Sequence, residues 1–326
     1  MLIGNGFSIA ADPIFKYQNL YEAAVSAGLS EEAIKIFDYL GTNNFEGVLQ
    51  LLDDTGKVAE IYGAHTSVIE RISKDTAVIK DALVSAVAIS HLEHSGVIAT
   101  YRKDRALEFL KIFHNVFTTN YDLLTYWVVM SSGQEPIFQD GFRSPEDDDE
   151  PYVIFKDRLG DSRGLYYLHG ALHLYLNGGE LRKHTWCRTG TKLTEQIRSG
   201  LSQGQHPLFV AEGSSDKKLA QIQRHGYLWY SLSKLSNINS PLVIYGHSLS
   251  EHDKHLIKAL TDNLKLGNIF IGLFGEEKSP ENLRIQRTAS QMIAERDKLL
   301  LSASKSTKGK KLSVKFFDSA SAKVWG

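Results

Sequence analysis

One cysteine, Cys187, is all the thiol that the 326-residue chain carries. A disulfide framework and a zinc site of the multi-cysteine kind are thereby excluded, because each needs several thiols, and a reducing cytoplasm is the expected compartment. The chain also lacks an excess of either charge. Its 37 Lys and Arg against 38 Asp and Glu give a formal net charge of −1, which leaves no global electrostatic case for binding nucleic acid or a membrane surface. No apolar run approaches the roughly 20 residues that span a bilayer, and residues 1 to 30 carry no basic-then-apolar export pattern. What remains is the composition of an ordinary soluble protein, 42% hydrophobic and 23% charged, with a length that suits one large domain or two small ones. No internal repeat is evident.

The richest local signal is at the start. Leu2-Ile3-Gly4-Asn5-Gly6-Phe7-Ser8 reads as the end of a buried strand that enters a glycine turn and then a helix. Gly4 and Gly6 can take backbone angles closed to other residues and let a ligand approach the main chain, and Ser8 can help cap the helix. Free N–H groups at such a turn would face an anion. The plain alternative is an ordinary strand-to-helix turn, since the third glycine of the dehydrogenase fingerprint is missing. Because the first strand is expected from the second residue, the amino terminus is expected inside the fold, so that a fused upstream domain would need its own linker.

From about Tyr17 to Leu110 apolar residues recur at helical spacing, interrupted at Gly41-Thr42-Asn43-Asn44, so this stretch is expected to be helical. Phe113 to Thr119, ending in Asn120-Tyr121-Asp122, reads as a second strand followed by a turn and a helix from about Leu123. Residues 136 to 187 look strand-like and loop-rich, with short apolar segments at Tyr152 to Phe155 and Leu165 to Leu168. The acidic run Glu146 to Glu150 is read as a solvated loop and not a metal site, because consecutive acids on a loop do not fix a coordination geometry. Three further strand-helix units follow, with strands at Pro207 to Val210, Pro241 to Tyr245 and Asn268 to Phe274, and helices from Lys217, Asp253 and Pro280. Lys305 to Lys311 is expected as a flexible basic loop, and Leu312 to Phe317 as a closing strand.

Short apolar runs alternating with amphipathic helices predict an α/β fold, a Rossmann-like parallel sheet with helices on both faces. The expected organisation is one domain over 1–326. Its core is 1–15 and 111–326, its helical insertion 16–110, and a small strand and loop insertion lies within the core at 133–190. In such a sheet ligands collect at the carboxyl ends of the strands. Four strand ends carry polar signatures: Gly4-Asn5-Gly6-Phe7-Ser8, Thr118-Thr119-Asn120-Tyr121-Asp122, Leu168-His169-Gly170 and Gly246-His247-Ser248-Leu249-Ser250.

These signatures, in this order, resemble the sirtuin fold, whose members carry Gly-Ala-Gly-x-Ser, Thr-Gln-Asn-x-Asp, His-Gly and Gly-Thr-Ser. The wording Thr118-Thr119-Asn120-Tyr121-Asp122 is similar to that of bacterial sirtuin-like NAD hydrolases of antiphage defence. The resemblance implies that Gly4, Asn5, Gly6, Phe7 and Ser8 hold the pyrophosphate of NAD, and that Asn120 and His169 are the catalytic pair. It further implies that Asp122 braces the nicotinamide pocket, that Gly246 and Ser248 line the adenosine side, and that Thr119 and His247 also bind the cofactor, His247 through ribose or phosphate, with a solvent-facing imidazole as its plain alternative. Phe15-Lys16 lies near the family's Asp-Phe-Arg but is out of step with it, and is left outside the site. The implied activity is hydrolysis of NAD to nicotinamide and ADP-ribose, with NAD as substrate and no metal. The protein would be a cytoplasmic effector of abortive infection, inactive until triggered, so that regulated self-assembly into a homo-oligomer, a regulatory defence-system protein, or both are expected. The four-cysteine zinc ribbon of the sirtuin deacylases cannot be built here, which argues against lysine deacylation.

The residue chemistry agrees with that activity. Cleaving the nicotinamide–ribose bond passes through an oxocarbenium-like state, which is helped by a polar group that orients water and ribose hydroxyls and by a base of near-neutral pKa. Plain structural roles stand beside these, a helix cap for Asn120 and a carbonyl-bonded histidine for His169. A nucleotide-binding sensor or scaffold without turnover is the alternative, and a dehydrogenase a weaker one. His173 is expected in a strand. Glu212 and Lys217, flanking Gly213-Ser214-Ser215, suggest a lid or second anion site, with a helix cap as the plain alternative. His252 and His255 beside Asp253 are expected on an exposed helix start and are not read as metal ligands.

Overall fold

The computed structural model describes residues 1–131, 137–146, 149–156, 162–211, 213–302 and 309–326. Its strands are β1 (Leu2–Ile3), β2 (Asn115–Thr118), β3 (Phe142–Arg143), β4 (Tyr152–Phe155), β5 (Gly164–Tyr167), β6 (Gly170–Asn177), β7 (Glu180–His184), β8 (Pro207–Phe209), β9 (Leu242–Tyr245), β10 (Asn268–Leu273) and β11 (Ser313–Asp318). Six of them form one sheet in the order β11-β10-β9-β1-β2-β5, and every neighbouring pair is parallel. Numbered along the chain these are strands 6-5-4-1-2-3, the doubly wound order of a Rossmann-like fold. The inner strands are apolar on both faces, with Leu2, Ile3, Val116, Phe117, Ile244, Ile269 and Ile271 fully buried, as a sheet covered by helices on both sides requires. The outermost strand β11 alternates between exposed and half-buried positions.

Between β1 and β2 the chain is helical, as its periodicity predicts. The helices Tyr17–Ser26, Glu31–Leu40, Phe45–Ile61 and Thr66–Ser90 pack around their own apolar cluster, which includes Phe37, Phe45, Val48, Leu49 and Ile79. The helix Glu31–Leu40 starts at a Ser30 cap and stops at Gly41, whose φ of +59° is a left-handed conformation that glycine accepts at low cost. Helix Thr100–Leu110 then leads into β2.

The remaining strands form an antiparallel sheet in the order β3-β4-β7-β6-β8. This corrects two expectations. Pro207 to Phe209 pairs with β6 and not with the parallel sheet, and the strand insertion therefore extends past residue 190 to residue 209. A four-residue apolar run carries no mark of which sheet it joins. The helices expected from Lys217, Asp253 and Pro280 occur as Ser215–Arg224, Lys254–Asp262 and Pro280–Ser302. The last of these buries Arg296, whose guanidinium donates to the carbonyls of Leu260, Thr261, Asn263, Leu266 and Lys310. Much of the carbonyl end of helix Lys254–Asp262 is thereby satisfied. Residues 305–308 of the expected basic loop lie outside the described residues, as do 147 and 148 of the acidic run; Glu146 and Asp149 are exposed. No helix among the described residues is long and apolar enough to cross a membrane.

Candidate functional site

The winding of the parallel sheet reverses between β1 and β9, the position where doubly wound sheets take ligands, and the loops that follow these two strands meet there. The glycines serve the junction of the two loops. The Gly6 amide donates to the Gly246 carbonyl at 2.8 Å and the Gly4 amide to the Tyr245 carbonyl at 3.0 Å. A Cβ on Gly4 would lie 2.7 Å from the Gly246 oxygen, and one on Gly6 2.6 Å from the Gly246 Cα. Gly246 itself has φ +63°. The sequence reading assigned this freedom to close approach of a ligand; in the fold it is the two loops that approach each other. The Phe7 amide is also in use, donating to the Gly4 carbonyl at 2.9 Å, so the expected row of free amides is reduced.

A cavity of about 420 Å³ opens beside this junction. Asn5, Gly6, Thr119, Asn120, Asp122, His169, Gly246, His247 and Ser248 all line it, so the topology brings the four strand-end signatures to one place. Gly4, Phe7 and Ser8 do not line it. Phe7 is a core residue packed on Trp325 with ring centroids 4.9 Å apart, which removes its side chain from the expected ligand set. Ser8 is buried one layer behind the wall. Phe15, left outside the site on spacing, is part of the lining, and its carbonyl accepts a hydrogen bond from Asn5 Nδ2 at 3.0 Å. The helical insertion contributes Leu20, Phe45, Leu83 and Val87 as an apolar wall opposite the polar strand ends.

Behind the polar wall, three buried side chains order one another. Ser8 Oγ donates to Asp122 Oδ2 at 2.5 Å and accepts from Asn120 Nδ2 at 2.8 Å. Asp122 Oδ1 accepts the Leu124 amide at 2.8 Å, which caps the following helix. Because the serine hydroxyl has one hydrogen and gives it to the carboxylate, the amide face of Asn120 must turn toward Ser8. Asn120 Oδ1 is then left buried with no partner among the described residues. Burial pushes the Asp122 carboxyl up to about 6, and the bonds from Ser8 and Leu124 oppose that rise.

The second half of the site is a chain of buried ionisable groups that sequence reasoning did not assemble. Lys218, with no exposed side-chain surface, is 2.5 Å from Glu46 Oε1 and 3.0 Å from Asp253 Oδ1. The Asp253 carboxylate also faces His169 Nε2 at 3.9 Å and His247 Nε2 at 3.5 Å. His169 Nε2 lies 3.0 Å from His255 Nε2, and His255 Nδ1 lies 3.0 Å from Ser215 Oγ. Burial holds His169 well below its ordinary value, with Lys218 adding to the effect, and burial lowers His255 to about 4. Asp253 stays ionised because Lys218 and the histidines outweigh its desolvation. The helix start expected to be exposed thus buries His255; His252 is half-buried, with its Nδ1 2.7 Å from the Gly213 carbonyl.

Donor atoms of His169, Asp253 and His255 lie within 4.8 Å of one another, close enough to hold a cation by distance alone. The ammonium of Lys218 already occupies the carboxylate they would share, so the cluster reads as a lysine-centred ion network. Lys217 is ion-paired to Asp53 at 2.7 Å, Ser214 caps helix Ser215–Arg224, and Glu212 lies outside the described residues, so nothing described there forms a second anion site. His173 is buried in β6 between the rings of Tyr126 and Tyr167, away from the cavity. Among the described residues, Arg284, which no motif marked, is the one Arg or Lys on the cavity wall.

No curated protein matches the chain. Residues 1–325 match the family described as Domain of unknown function (DUF4917), and the chain belongs to that family.

Proposed function

We propose that this chain is an NAD+ nucleosidase, which cleaves the nicotinamide–ribose bond with water to give nicotinamide and ADP-ribose. The observation that carries the reading is Asn120, which lines the cavity together with His169: its amide nitrogen is committed to Ser8, and its Oδ1 is buried without a partner among the described residues. A buried acceptor without a donor is costly, and a ribose hydroxyl or the attacking water supplies the missing donor. Burial keeps His169 neutral but makes it a weaker base than the near-neutral one expected, and the Asp253 carboxylate favours the charge it gains on taking the proton that water loses as it adds to the sugar. As the nicotinamide leaves, positive charge spreads over the ribose ring, and the acidic groups of the wall, Asp122 and Asp253, favour that charge electrostatically. Arg284 supplies the positive charge that a pyrophosphate needs. The cavity lies within the size range of small-molecule sites.

Depletion of NAD is harmful to the cell that carries the enzyme, so the reading includes a cytoplasmic effector of antiphage defence whose activity is gated by self-assembly or by a partner protein. The test is incubation of the purified chain with NAD, with nicotinamide and ADP-ribose followed by chromatography beside Asn120→Ala and His169→Ala. Release of both products by the wild type and its loss in both folded variants is the expected result. Bound NAD that stays intact, under every assembly state tested, favours the sensor reading and overturns the enzyme.

A further inference from the structure

His255 does not line the cavity, yet it is the nearest polar neighbour of a residue that does. Its Nε2 lies 3.0 Å from His169 Nε2. Its other ring nitrogen lies 3.0 Å from Ser215 Oγ, which also accepts the His255 backbone amide at 2.7 Å. All three residues are buried. Two neutral imidazoles that face each other through nitrogen share a single hydrogen, so one must donate and the other accept. Ser215 Oγ accepts the backbone N–H and can then either accept the ring N–H of His255 or donate its own hydrogen to Nδ1; the Asp253 carboxylate, 3.9 Å from His169 Nε2, favours a hydrogen on that nitrogen, which makes His255 Nε2 the acceptor and His255 the Nδ1–H form.

We propose that His255 and Ser215 are positioning residues that hold His169 as its Nε2–H tautomer, so that His169 Nδ1 is the nitrogen that serves the cavity as base. The proposal deepens the nucleosidase reading and rests on it for its meaning. When water or a ribose hydroxyl gives up a proton to His169 Nδ1, the hydrogen already on Nε2 moves toward His255 Nε2. The pair then holds one added proton and one added positive charge, and no other group changes. Asp253, 3.9 Å from His169 Nε2, faces the charge that develops. Lys218 and His247, which bind or flank the same carboxylate, oppose it, and Glu46 on the far side of Lys218 offsets that lysine. A second histidine gives the charge two buried rings to occupy.

The experiment is imidazole NMR on the full chain labelled with 15N-histidine, recorded for the wild type, His255→Phe, His255→Gln and Ser215→Ala, together with NAD turnover of each. The expected result is His169 in the Nε2–H form in the wild type, a mixture of tautomers in His255→Phe, and return of the Nε2–H form in His255→Gln, whose amide oxygen can accept. In turnover, kcat falls on the order of 10²-fold in His255→Phe with KM little changed, and His255→Gln recovers most of the loss. Ser215→Ala keeps both rings and shifts the tautomer mixture in the same direction, which preserves the test should His255→Phe not fold. An unchanged His169 tautomer in the folded variants overturns the inference. If the tautomer follows His255 while no variant, wild type included, cleaves NAD, the positioning role stands and the nucleosidase reading falls.

Discussion

The Gly6 amide donates to the Gly246 carbonyl at 2.8 Å, so the loops that leave β1 and β9 are tied backbone to backbone at the point where the sheet changes its direction of winding. That contact explains why glycine stands on both sides of it. A methyl group on Gly6 would sit 2.6 Å from the Gly246 Cα, and one on Gly246 2.6 Å from the Phe7 nitrogen. Neither obstacle is a flexible side chain. Gly6→Ala and Gly246→Ala are each expected to destabilise the fold by about 1–3 kcal/mol, the usual range for overpacking a close contact, with Gly246→Ala adding strain from its positive φ. Urea unfolding checks this, and an unchanged midpoint in either variant would show that the loops part without cost.

Lys218 is the hinge of the electrostatics. Replacing it with Met leaves the carboxylates of Glu46 and Asp253 buried near each other without a cation, and breaking a buried pair in this way costs about 3–5 kcal/mol. The stability of Lys218→Met should therefore fall by that amount at neutral pH. It should be largely restored in the triple variant Glu46→Gln, Lys218→Met, Asp253→Asn, which removes the stranded charges. Unfolding curves for the single and triple variants decide the matter, and equal loss in both would assign the effect to packing alone.

Much of the fold was legible because its signals are local. Apolar runs of three to six residues ending in Gly, Asn or His mark the strand ends, and Rossmann winding then brings those ends together whatever lies between them. The ion network was not legible because its members come from distant elements: Glu46 from the helical insertion, Lys218 from the middle of helix Ser215–Arg224 and Asp253 from the turn after β9. In sequence Lys218 sits in Ser-Asp-Lys-Lys, which reads as a solvated helix start, and only tertiary packing reveals that one of the two lysines is buried while its neighbour pairs at the surface with Asp53. The same limit applies to His255. Its neighbours Lys254 and Lys258 are exposed, and the helical turn that buries His255 and Leu256 is set by contact with helix Ser215–Arg224.

Acid should unfold the protein earlier than its carboxylates alone would dictate. Burial lowers His91, His184 and His255 to about 4, from an ordinary value of 6.5. The unfolded chain therefore binds protons that the folded chain refuses between these values, and stability is lost as pH falls from about 6.5 toward 4. Asp122 acts in the opposite sense, because its carboxyl is raised from 3.8 to about 6 and the folded state holds that proton more tightly. Burial raises the Glu46 carboxyl as well, which acts in the same sense as Asp122; two carboxyls against several histidines leave the net slope positive with pH. Melting temperature measured from pH 4 to 7.5 should rise through that window, and His255→Gln should flatten the slope without abolishing it.

Ser8 links the Asp122 carboxylate to the Asn120 amide nitrogen, and its removal should separate stability from activity. In Ser8→Ala the Asn120 amide loses its acceptor, so the side chain is free to turn over and Oδ1 is no longer held as a partnerless acceptor. Asp122 loses a hydrogen bond that keeps its carboxyl down, so its pKa rises above about 6. On the proposed nucleosidase reading, the ionised carboxylate both fixes Ser8 as a donor and favours positive charge on the ribose, so the acid limb of the pH–rate profile is expected to belong to Asp122 and to move upward in the variant. The expected outcome is a fall in kcat on the order of tenfold at pH 7.5, larger at pH 6.5, with KM for NAD changed less. A profile whose acid limb stays in place while kcat falls uniformly would detach Asp122 from the mechanism and leave Ser8 with Asn120 alone.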